Sequence, residues 1–70
     1  MSGKKIYAKM EAAGDLSAAL GNLGNGALRS LVLYIHKAAL YETEVGGHIL
    51  GLAMCEVTTR FLTKGKNKAL

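Results

Sequence analysis

The stretch "ETEVGGHILGLAMCE", residues 42–56, decides the fold. Before it runs "GALRSLVLYIHKAALY", residues 26–41, in which Leu28, Leu31, Val32, Ile35, Ala38 and Ala39 recur at helical spacing. After it the same period continues through Val45, Ile49, Leu52, Ala53, Val57 and Phe61. The fold depends on how the chain passes from one run to the other. Thr43 has the hydroxyl of an N-cap, and Glu44 then falls in a first turn, where the helix dipole favours a carboxylate. The alternative is a single helix kinked at Gly46 and Gly47. A turn or sharp kink is the better reading, because it lets the two apolar faces fold against each other. The expected core is an antiparallel helical hairpin over about residues 26–63.

The glycines raise a second question. Gly47 and Gly51 are four apart and share a helix face, and Cys55 continues the line. Each glycine inside a helix costs about 0.8–1.0 kcal/mol against alanine. Close approach of a second backbone, as at small-xxx-small contacts, would offset that cost. The face through Gly47, Gly51 and Cys55 is therefore expected to pack closely on another helix.

Working outward, residues 4–20 read as a shorter N-terminal helix with Ile6, Met10, Ala13 and Leu20 on one face. Gly14 weakens it, and Asp15 is placed to cap a fresh start at "GDLSAAL". "GNLGNG", residues 21–26, is the clearest turn. Gly21 or Gly24 is expected to end the preceding helix and Asn25 to cap the next. A phosphate cradle there would want a lysine followed by Ser or Thr, and "GALRS" follows instead. At the other end Gly65 is expected to stop the last helix, leaving 65–70 as a basic, frayed tail.

Composition agrees with an all-α class. Half of the residues are hydrophobic, only four are aromatic, and proline is absent. Seventy residues make one domain at most, and a core of that size is marginal alone. The helix over 26–41 is apolar nearly all round, since Leu33, Tyr34, Leu40 and Tyr41 widen its stripe. These four residues are expected to touch another chain, in a homo-oligomeric bundle such as a dimer of hairpins.

Several functions find no support. Cys55 has no second cysteine to pair with, which suits a reducing, cytoplasmic setting. Arg29, Lys37, Glu42, Glu44 and Glu56 interrupt every run long enough to cross a membrane, so no transmembrane span is expected. Glu44, His48 and Cys55 share a rough helix face, yet three or four ligands at zinc spacing are missing. No nucleophile, base and orienter occur together. The expectation is a protein without cofactor or metal that is not an enzyme.

What remains is surface. The leading expectation is a small interaction protein that self-associates and binds and regulates a larger protein partner. The net charge of +4 supports an alternative. Lys4, Lys5, Lys64, Lys66 and Lys68 crowd the two ends and are candidate contacts for phosphate, in nucleic acid or anionic lipid. A structural subunit of a filament, shell or coat is a third reading, and a cationic membrane-active peptide a fourth.

Overall fold

The computed structural model describes residues 2–69, with side chains described for residues 2–63. It contains α1 (Gly3–Ala12), α2 (Leu16–Gly21), α3 (Asn25–Lys37), a 3-10 turn (Leu40–Glu42) and α4 (Glu44–Ala69). There is no strand among the described residues, so the all-α reading holds.

The N-terminal segment is two helices, and the break follows from two residues. Ala13 leaves helical geometry with ψ 133°. Asp15 is extended at ψ 93°, and its carboxylate accepts from the Ala18 N–H at 3.1 Å. Ser2 caps α1 in the same way, accepting from the Lys5 N–H at 3.3 Å.

The reversal at residues 38–43 is a true turn. α3 stops at Lys37, four residues short of the expected end at Tyr41. Ala39 adopts the left-handed region with φ 56°, a conformation that disfavours any Cβ. The 3-10 turn then leads to Thr43, which is extended at ψ 155°. Its hydroxyl oxygen accepts from the Gly46 N–H at 2.9 Å and its O–H donates to the Leu40 carbonyl at 2.7 Å. Thr43 therefore caps α4, as its position suggests, and ties the turn behind it.

α3 and α4 run antiparallel. Arg60 near the far end of α4 meets Asn25 at the start of α3, and Leu40 meets Gly46 at the tip. α1 lies across the tip half of this hairpin. Gly3 and Tyr7 touch α3 at Ser30 and Tyr34, while Met10 and Ala13 approach Glu44, His48 and Ile49 of α4. α2 returns beside α4, with Gly21 close to Glu56.

The core is Ile6, Tyr7, Met10, Leu20, Leu28, Leu31, Ile35, Ile49 and Ala53, with no buried polar or charged residue among those described. All of these except Tyr7 lie on the apolar faces read from the sequence. Burying so many side chains outweighs the poor helix propensity of several positions, at roughly 1.5–3 kcal/mol per large aliphatic side chain.

Two expectations need correction. The stripe of α4 is buried only at Ile49 and Ala53, and Val45, Val57 and Phe61 are exposed. At 1.5 Å per residue, the 26 residues of α4 outrun the 13 of α3 by a factor of two, so much of α4 has a neighbour on one side only. The helix also passes through Gly65 and continues to Ala69. Glycine lowers helix propensity by about 1 kcal/mol but terminates a helix only where the chain turns left-handed.

Candidate interaction surface

Arg60 organises one end of the hairpin. Its Nε donates to Glu56 Oε2 at 2.7 Å, one helical turn away. Its Nη1 donates to Asn25 Oδ1 at 2.8 Å. Its Nη2 reaches the carbonyls of Leu20 at 3.2 Å, Gly21 at 3.4 Å and Leu23 at 2.7 Å. The last carbonyls of a helix have no partner within it. The planar fork of arginine serves those of α2 and the following turn together. Asn25 is held here as an acceptor for Arg60. The N-cap of α3 is Gly24, in place of the expected Asn25, and Gly24 makes no side-chain bond. Nothing in the local sequence marks Arg60 for this role, which depends on α2 and α4 lying side by side.

Beside Arg60, α3 and α4 diverge into an open apolar groove of about 510 Å³. Leu28, Val32 and Leu33 form its α3 side, and Met54, Val57 and Phe61 its α4 side. Leu33 is 61% exposed and Phe61 75%. The Thr58 hydroxyl donates back to the Met54 carbonyl at 2.9 Å, so it adds little polarity beside the groove.

The four residues expected to touch another chain divide into two pairs. Leu33 and Tyr41 are exposed. Tyr34 is half-buried against Tyr7, with ring centroids 5.7 Å apart at 59°, and Leu40 packs on the core. Both are partly covered by the chain's own α1 and turn, and part of each surface stays open.

The glycines also divide. A Cβ at Gly51 would meet nothing within 4 Å, and Cys55 is exposed. Gly47 faces only the Tyr41 carbonyl oxygen, at 3.2 Å from such a Cβ. Among the described residues no other α-helix comes within 4 Å of a Cβ at Gly47 or Gly51. The close approaches within the chain are elsewhere. A Cβ at Gly46 would collide with the Leu40 carbonyl, and one at Gly3 would stand 2.6 Å from the Ser30 oxygen and 2.7 Å from Tyr34 Cβ. The double glycine at 46–47 carried a signal for the first. Gly3, near the start of the chain, carried none.

The titratable groups do not assemble a site. Glu11, Glu44 and His48 line a shallow concavity with Met10 and Ile49. Among the described residues no group of three or more His, Cys, Asp or Glu is placed to hold a metal. His36 turns its Nδ1 to the Val32 carbonyl at 2.9 Å and lies beside Tyr41. No helix is long and apolar enough to cross a membrane among the described residues.

The basic residues are split between two ends. Lys4 lines a concavity with Tyr7, Thr43 and Val45, at the hairpin tip. Lys5 is exposed one residue on. Lys64, Lys66 and Lys68 belong to the opposite end of α4, and their side chains lie outside the described ones. In comparison with known proteins, the chain matches no family model, no curated protein and no solved structure.

Proposed function

We propose that this protein is a non-enzymatic interaction module that self-associates and binds and regulates a larger protein partner. The observation that carries this reading is the uncovered apolar surface of α4. On its groove side stand Met54, Val57 and Phe61, facing Leu33 of α3, and Leu62, 63% exposed, lies on the helical face that carries Gly51 and Cys55 two to three turns earlier. Large contiguous apolar surface is rare on proteins that act alone, and it marks contact sites. The groove receives a segment of another protein. The open line through Gly47, Gly51 and Cys55 admits the backbone of a second copy.

Sedimentation velocity over a concentration series tests the self-association. The expected result is a mass above that of the 7.4 kDa chain which falls on dilution, and which Leu62→Glu reduces to the monomer. A monomer at every concentration would remove self-association from the reading.

A further inference from the structure

We infer that the α3/α4 groove takes an amphipathic helix of a partner protein whose apolar face ends in acidic residues. The inference rests on the groove being a binding surface, and it adds the chemistry of the occupant. The shape comes first. The groove is a concave trough between two helices, walled along α3 from Asn25 to Leu33 and along α4 from Met54 to Phe61. A trough of this kind admits a third helix, whose anchors at i, i+3, i+4 and i+7 drop between the walls. A flat bilayer would need a protruding apolar face.

The charge decides the rest. Among the described residues the charged ones lining the groove are Arg29 and Arg60, with no carboxylate. Arg60 is engaged by Glu56, Asn25 and backbone carbonyls. Arg29 is exposed and makes no ion pair among the described residues. Arg60 stands at the end where α3 begins, and Arg29 lies one helical turn in from it along the α3 wall. The trough is thus largely apolar, with its positive charge displaced toward the end where α3 begins. An occupant with acidic residues at the matching end is attracted, and a basic one is repelled. A second copy of this chain suits the groove poorly. The exposed face of its α1 carries Lys4, Lys5 and Lys9, and the chain's net charge is +4.

The test uses two fluorescein-labelled helical peptides of about 13 residues, the length of α3. Both carry leucine at i, i+3, i+4 and i+7. One ends in glutamates and the other in lysines. Fluorescence anisotropy with the full chain is expected to show the glutamate peptide binding about tenfold or more tightly than the lysine peptide, with the gap narrowing in salt. Arg29→Glu should narrow or invert that preference. Phe61→Ser should abolish binding of the glutamate peptide while leaving the circular dichroism unchanged, because Phe61 is outside the core. Equal binding of both peptides overturns the charge inference and leaves the groove as a binding surface. Binding of neither peptide overturns the inference and the groove's role, and leaves self-association through the face of Leu62 standing. Binding to phosphatidylserine vesicles that Phe61→Ser abolishes, with no peptide binding, would assign the groove to membranes and overturn the inference.

Discussion

The Arg60 guanidinium donates to the Leu23 carbonyl at 2.7 Å across 37 residues of sequence. The same side chain bonds Asn25 and the end of α2, so one residue of α4 fixes the entry to α3. Arg60→Ala removes the donor to the Gly21 and Leu23 carbonyls, while the Leu20 carbonyl keeps the Leu23 N–H at 3.1 Å. Hydrogen bonds to a charged group contribute roughly 1.5–3 kcal/mol, and the side chain is a quarter exposed, so a loss of about 2 kcal/mol is expected. Thermal unfolding should fall by roughly 8–16 °C. Arg60→Lys should recover little of this, since an ammonium cannot address carbonyls and Asn25 in one plane. Full recovery by lysine would show that charge alone matters.

Gly46 has no room for a side chain. A Cβ there meets the Leu40 carbonyl, which is backbone within the turn and cannot move without opening the Thr43 cap. Gly46→Ala should destabilise the chain by about 2 kcal/mol or more, despite a propensity gain near 0.8–1.0 kcal/mol. Chemical denaturation measures the balance, and a stabilised variant would place the turn differently.

Gly51 should behave oppositely. A Cβ meets nothing there, so within the monomer only propensity acts. Gly51→Ala is expected to stabilise the dilute monomer by about 0.8–1.0 kcal/mol. Gly51→Leu should add nearly as much at low concentration and weaken self-association at high concentration, if a second copy lies on this face. Comparing denaturation at two protein concentrations separates the effects.

Ala39 holds a left-handed conformation at φ 56°. This costs an alanine roughly 1–2 kcal/mol relative to its preferred regions. Glycine occupies the region freely but loses more entropy on folding. Ala39→Gly is expected to stabilise the chain by about 0.5–1 kcal/mol, read as a rise in unfolding midpoint at unchanged denaturant dependence. A fall in the midpoint would show that the Ala39 methyl makes a contact worth more than the strain.

The elements were legible where local chemistry sets them. Asp15 and Thr43 cap helices because a side-chain oxygen satisfies an orphan N–H within the same few residues, and sequence spacing displays that directly. The apolar period marked Leu28, Leu31, Ile35, Ile49 and Ala53 for the core for the same reason. What escaped is non-local. Arg60 looks like any basic residue near a helix end until α2 is folded beside it. Gly3 acquires its role only when α1 crosses α3 at Ser30. Val57 and Phe61 share the period of the core residues, but periodicity says which face is apolar and not whether a neighbour covers it. The apolar groove was legible only in part on that account. Leu33, Val57 and Phe61 show in the sequence as apolar positions on their helices, while the contacts that partly bury Tyr34 and Leu40 depend on α1 and the turn.

The reach of Arg60 also sets an order of events during synthesis. The Leu20 carbonyl is made 40 residues before the guanidinium that will bind it. At about 5–20 residues per second, roughly 2–8 s separate the two. In that interval the entry to α3 is not yet fastened, and Ile49 and Ala53 are not all in place to join Leu31 and Ile35 in the core. The hairpin therefore closes late, once the residues up to Arg60 have left the ribosome, and α1 and α2 wait for it with their apolar faces incompletely paired.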